Sequence, residues 1–283
     1  MAVGFLRYFQ LRRLMSSVTN KSLVENLSKL PIASKLGNID ELLQSTPELN
    51  NTHLEAWQNT LEALTQEGFS SRKFSYMISQ NPKLLATQPE KIASSINDWR
   101  TYQFGEKQTL ELLEQNPELI NVGLSRKLYK RFQIIKMFVG GGSNVYKLLL
   151  NSPSVMLQKV SVIKEKIDYL QNVMKIEPVE VYKSEALSLD ITSIKSRHVF
   201  LERLGLYIVK KKKDSNEISK NPKLYQITDT SDRRFASKVC FVTPEEFEIF
   251  QEMHKKELEY GSGKELDDDE FSDDEDENEE QNS

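Results

Sequence analysis

Apolar positions along this chain fall at helical spacing, and the same apolar columns return about every 35 residues. Leu61 with Leu64, Ile96 with Trp99, and Ile167 with Leu170 lie 14 and 17 residues after a proline. Phe132 with Ile135 and Leu201 with Leu204 come one place later in their units. Each i, i+3 pair puts two apolar side chains on one helical face. The prolines sit in related segments: Ser45-Thr46-Pro47-Glu48-Leu49, Gln80-Asn81-Pro82-Lys83-Leu84, Gln115-Asn116-Pro117-Glu118-Leu119, Asn151-Ser152-Pro153-Ser154-Val155 and Lys220-Asn221-Pro222-Lys223-Leu224. The first four prolines are 35, 35 and 36 residues apart, and Pro222 lies 69 after Pro153. Two periods fit that last gap, so Ser184-Glu185-Ala186-Leu187 reads as an anchor without its proline. A fixed period of this length marks a stacked repeat array.

A second helix follows Gly68-Phe69, Phe104-Gly105 and Val139-Gly140, where glycine suits the turn. No stretch alternates apolar and polar residues long enough to argue for a sheet. The expected fold class is all-α: a helical-repeat superhelix (solenoid) whose units of about 35 residues each hold two helices and a proline-led turn. A Ser or Asn before the proline reads as a helix N-cap, with the proline at the first helical position. The repeats are expected over residues 46–258, after a degenerate helical segment at 21–45.

Charge changes the picture more than composition does. The 283 residues carry 38 Lys or Arg and 42 Asp or Glu, a net of −4. Residues 265–283 hold 12 of those acids and no base, which leaves 30 acids against 38 bases, a net of +8, in residues 1–264. A basic body of this kind favours a polyanion partner. Residues 259–283 have too little apolar surface to order and read as a disordered acidic tail. Residues 1–20 contain Arg7, Arg12, Arg13, Ser16, Ser17 and Thr19, and the first acid of the chain is Glu25. That amphipathic, acid-free composition reads as a transit peptide and predicts import into the mitochondrial matrix.

Little in the sequence supports catalysis. The single cysteine, Cys240, cannot form an internal disulfide or a Cys-based zinc site. His53, His198 and His254 never meet the i, i+4 spacing of a helical metal pair. Gly140-Gly141-Gly142-Ser143 lacks the spacing and lysine of a phosphate loop and reads as an inter-helix turn. Cys240 sits in Lys238-Val239-Cys240-Phe241-Val242, an apolar setting that predicts a buried, inert thiol with a raised pKa. His198 reads as a packed repeat histidine. No catalytic residue, metal or cofactor is expected, and no apolar run reaches the roughly 18 to 20 residues of a membrane span.

Cations recur at helical spacing instead. Arg126, Lys127, Lys130 and Arg131 form one stripe on the first helix of the third repeat. Lys159, Lys164 and Lys166 occupy the equivalent helix of the fourth, and Lys195, Arg197 and Arg203 that of the fifth. Lys210, Lys211, Lys212 and Lys213, then Arg233 and Arg234, extend the series. Charges repeated on equivalent helices are suited to follow a phosphate backbone. Composition leaves RNA and DNA both open; Tyr129, Tyr146 and Tyr207 are the aromatics available to stack on unpaired bases.

The segment Thr243-Pro244-Glu245-Glu246-Phe247-Glu248-Ile249-Phe250-Gln251-Glu252-Met253 predicts a helix capped by Thr243, with Pro244 first and Glu246 completing a capping box. Phe247, Phe250 and Met253 share a face. That face either caps the array or, with Leu206 and Tyr207, forms part of a partner-binding patch.

The Asn-Pro-x-Leu anchor, the two-helix unit and Ile194-Lys195-Ser196-Arg197-His198-Val199-Phe200-Leu201-Glu202-Arg203-Leu204-Gly205-Leu206-Tyr207 together resemble the mitochondrial transcription termination factor (mTERF) family. The resemblance covers roughly residues 40–258. The Arg-His-x-Phe-Leu-Glu-Arg-Leu-Gly stretch, the Thr-Pro-Glu-Glu-Phe helix and the acidic tail resemble most its fourth animal branch. The resemblance implies a curved helical array with a basic concave face and no catalytic role. It further implies binding to mitochondrial ribosomal RNA and recruitment of a Sun-domain RNA cytosine-5 methyltransferase during large-subunit assembly. The alternative on the same fold is a regulator of transcription that binds mitochondrial DNA.

Overall fold

The computed structural model describes residues 23–30, 36–122, 126–209 and 220–262, and of residues 126, 127 and 259–262 the backbone alone. The expected transit peptide, Lys210 to Lys213 and the acidic residues from 265 onward lie outside the described residues. The chain divides into two compact units, Met1–Ser188 and Leu189–Ser283.

In the first unit a helical turn over 23–28 precedes α1 (Ile39–Ser45). Each anchor proline then opens a short 3-10 helix: Pro47–Asn51, Pro82–Ala86, Pro117–Val122 and Pro153–Leu157. A long helix follows each: α2 (Leu54–Gln66), α4 (Pro89–Arg100), α6 (Arg126–Val139) and α8 (Val160–Asp168). Shorter helices return the chain to the next anchor: α3 (Phe74–Gln80), α5 (Glu106–Gln115), α7 (Gly142–Asn151) and α9 (Pro178–Val181). The repeat is therefore as read from the sequence, with its proline-led turn wound into a 3-10 helix. Gly68 and Gly140 make the turn from long to short helix at φ +95° and +80°, a conformation costly for residues with a Cβ.

Two residues past each proline, Leu49, Leu84, Leu119 and Val155 are fully buried. With them lie Trp57, Leu61, Leu64, Ile92, Ile96, Trp99 and Ile135 from the long helices. The proline-less anchor at 184–187 forms turns and no 3-10 helix, yet Ala186 and Leu187 are equally buried. Apolar burial holds the anchor; the proline only shapes it.

The residue before the proline does not cap. Thr46, Asn81 and Ser152 make no side-chain capping bond. The side chains of Asn81 and Ser152 reach the following unit instead. Asn81 Nδ2 donates to the Pro117 carbonyl at 3.0 Å and Ser152 Oγ to the Ser184 carbonyl at 3.3 Å. The long helices donate in the same direction. Thr60 Oγ1 bonds the Leu84 carbonyl at 3.2 Å, Ser95 Oγ the Ile120 carbonyl, and Trp99 Nε1 the Leu119 carbonyl at 3.0 Å. These donors reach carbonyls of the anchor turns, where burial makes hydrogen-bond partners obligatory.

The second unit contains α10 (Ile191–Arg203), α11 (Leu224–Thr228), α12 (Asp232–Arg234, passing into a π-helical turn at Phe235–Cys240) and α13 (Pro244–Ser262). Its core is aromatic. Phe247 lies 5.0 Å from both Phe200 and Phe235, and Phe250 lies 4.7 Å from Phe200, ring centre to ring centre. The expected capping box forms: Glu246 N donates to Thr243 Oγ1 at 3.3 Å, and Thr243 N to Glu246 Oε2 at 2.8 Å. Helix α13 runs to Ser262, four residues past the boundary expected at 258. Thr243→Ala should cost about 1 kcal/mol, measured as a lower urea midpoint with an unchanged slope.

Candidate nucleic-acid interface

In the first unit the expected cations divide by burial. On α6, Lys130 and Tyr129 are exposed, Arg131 is half-buried, and the side chains of Arg126 and Lys127 lie outside the described residues. Arg131 Nε is buried with no hydrogen-bond partner, and burial lowers the pKa of that guanidinium. Lys159, just before α8, and Lys164 within it are exposed. Lys166, two residues further on, is only 2% exposed. Its Nζ donates to Gln158 Oε1 at 2.7 Å and to the Leu187 carbonyl at 3.1 Å. Lys166 therefore takes the place that Thr60 and Ser95 hold in earlier repeats, and it leaves the expected cationic stripe.

In the second unit Arg233 and Arg234 are exposed and Lys195 is half-buried. Arg197 requires a correction. It is 5% exposed, and its guanidinium donates to the carbonyls of Ile227, Thr228 and Thr230 and to Asp232 Oδ1. The same group lies 5.0 Å from the Phe235 ring centre. Buried, with both terminal nitrogens donating to protein oxygens, Arg197 is not available to a phosphate. Arg203 remains near the surface but is engaged, pairing with Glu257 at 2.7 Å and packing 5.2 Å from the Phe250 ring centre.

The aromatics divide in the same way. Tyr129 is 58% exposed, whereas Tyr146 packs 5.6 Å from Phe104 and Tyr207 is buried edge-on to His198 at 4.7 Å. Tyr102, which the sequence reading passed over, stacks on Phe132 at 4.0 Å. Its burial pushes the phenol pKa up to about 12. Burial likewise lowers the His198 pKa, against the opposing pull of Glu202, and drives the Cys240 thiol up to about 12.

The expected partner patch also needs revision. Phe247, Phe250 and Tyr207 face the core of the second unit, at 1%, 8% and 5% exposure. Leu206 is half-buried, and Met253 is open to solvent. The outward apolar residue beside Met253 on α13 is Ile249. The i, i+3 stripe Phe247–Phe250–Met253 thus rotates from inside to outside along the helix. Among the described residues no cluster of His, Cys, Asp and Glu is placed to hold a metal ion, and no helix is long and apolar enough to cross a membrane.

The described residues define an all-α helical-repeat protein that displays cations on its long helices at Lys130 and Lys164 and just before one at Lys159. The mTERF family model matches residues 5–236, and the chain belongs to that family, whose members are helical-repeat solenoids. The match begins inside the segment expected to be a transit peptide. The chain is 25% identical over 183 residues to mouse "Transcription termination factor 4, mitochondrial", covering 64% of this chain and 52% of that protein. It spans about half the length of that relative.

Proposed function

We propose that this chain is a noncatalytic mitochondrial RNA-binding protein. In this reading it binds mitochondrial ribosomal RNA, recruits a Sun-domain 5-methylcytosine RNA methyltransferase as a heterodimer, and supports large-subunit assembly and translation in the matrix. The observation that carries the reading is the exposure of Lys130, Lys159 and Lys164 on or beside successive long helices of an mTERF-family repeat array. The exposed Ile249 and Met253 of α13 are the candidate methyltransferase contact in place of the buried phenylalanines. The second reading, a mitochondrial DNA-binding regulator of transcription, is favoured by the mouse relative, a mitochondrial transcription termination factor.

Crosslinking in mitochondria, followed by sequencing of the bound nucleic acid and mass spectrometry of co-purified proteins, separates the two. Ribosomal RNA with a methyltransferase supports the first; mitochondrial DNA alone supports the second. Replacing Lys130, Lys159 and Lys164 together by Ala should flatten the slope of log K against log salt by roughly 0.7 per lost contact on single-stranded RNA. An unchanged slope would remove these cations from the binding face.

A further inference from the structure

The groove between α6 and α8 in the first unit has a volume of about 490 Å³ and a composition that neither cations nor core packing explains. Ile134, Met137 and Phe138 of α6 and Ile167 of α8 form an apolar wall. Lys164, Asp168, Gln171 and Asn172 bring polar groups to the same space. Met137 is 83% exposed, an unusual position for a large apolar side chain on a soluble surface. At the groove, α8 also leaves α-helical geometry. Tyr169–Val173 winds as a π-helix, closed by the Met174 amide on the Tyr169 carbonyl at 3.0 Å. Such a turn is rare and is found often at functional sites. Here it carries Gln171 and Asn172, and Asn172 Nδ2 is held by Asp168 Oδ1 at 2.6 Å.

We propose that this groove binds an unpaired nucleobase of single-stranded RNA, a site that rests on the nucleic-acid reading above and specifies the form of its ligand. The apolar wall accepts the face of a base. The Gln171 amide and the Asp168 carboxylate offer a donor and acceptors to the base edge, as recognition of splayed-out bases requires. Lys164 stands at the groove to meet the adjoining phosphate. A duplex cannot use the site, because its bases are stacked and their edges are paired. A protein helix fits less well. Helix-in-groove docking lays an apolar face along an apolar groove, and here one side, with Lys164, Asp168, Gln171 and Asn172, is polar.

The test compares the full chain with Met137→Glu, Gln171→Ala and Lys164→Ala, using a short single-stranded RNA carrying 4-thiouridine and a DNA duplex of equal length. Met137 is exposed, so a charge there should leave the fold intact, which circular dichroism checks. Met137→Glu should weaken single-stranded RNA binding about fivefold or more, the smallest effect expected from losing one stacked base. Its binding to duplex DNA, which can feel the added charge but cannot enter the groove, should fall by less. Gln171→Ala should alter the preference among bases without changing the salt slope, whereas Lys164→Ala should flatten the slope and leave base preference alone. Photocrosslinks should map to residues 134–138 or 167–172. Wild-type single-stranded RNA affinity and base preference in both Met137→Glu and Gln171→Ala would overturn the groove while sparing the RNA-binding reading. Loss of a protein partner by Met137→Glu with RNA affinity retained would overturn it too. Failure of the wild-type chain to bind any nucleic acid would overturn both readings together.

Discussion

Leu119→Asp should unfold the repeats around the third anchor. Leu119 is fully buried, two residues past Pro117, and its carbonyl accepts the Trp99 indole N–H from the preceding long helix. Truncation alone, Leu119→Ala, should cost about 2 to 5 kcal/mol. Aspartate adds a carboxylate at a fully buried position, and burying an uncompensated charge costs several kcal/mol more. Against a total of about 5 to 15 kcal/mol for a domain, the variant should not fold stably at 37 °C. Because repeats are stabilised by their neighbours, α4 to α7 should lose hydrogen-exchange protection together. Wild-type thermal stability in Leu119→Asp would show that the anchor column is not the core.

The second large effect is expected in the other unit. Arg197→Met keeps the length and apolar stem of the side chain but removes the donors that satisfy the carbonyls of Ile227, Thr228 and Thr230. Each buried acceptor left without a partner costs about 1 to 3 kcal/mol. Asp232 is 57% exposed and can hydrate, so its loss of a partner matters less. A total of about 3 kcal/mol or more is expected, read by urea denaturation. Arg197→Lys should recover part of it. Under conditions where Arg197→Met remains folded, the salt slope of nucleic-acid binding should match wild type. A flattened slope without destabilisation would return Arg197 to the phosphate-binding set.

These two residues mark where the sequence could and could not be read. Leu119 was legible because a column needs only recurrence: Leu49, Leu84, Leu119 and Leu224 stand at one offset from a proline, and all are fully buried. Cys240 was legible because its sequence neighbours are themselves apolar. Arg197 was not legible. It lies at the same helical spacing as Lys195 and Arg203, and charge alone gives no indication of facing inward. Lys164 and Lys166 repeat the case within one helix, one exposed and one 2% exposed. The Lys166 ammonium points at the Leu187 carbonyl, 21 residues away, and no local pattern announces that acceptor.

The sequence by itself determined the class of fold, the period, the positions of the anchors and the cap of the last helix. Those properties depend on local spacing: which side chains share a helical face, where a proline can stand, and which hydroxyl lies three residues before a glutamate. Tertiary structure decided which members of each face are spent inside. Anchor carbonyls accept a side-chain donor from the preceding long helix, whether Thr60, Ser95 or Lys166. The aromatic stripe of α13 turns Phe247 to the core and Met253 to solvent because α10 and the π-helical turn at Phe235–Cys240 pack against only part of it. The groove at Met137 lies between helices of two successive repeats, with Gln171 and Asn172 of the π-helical turn in its lining, so it exists only when the repeats stand side by side.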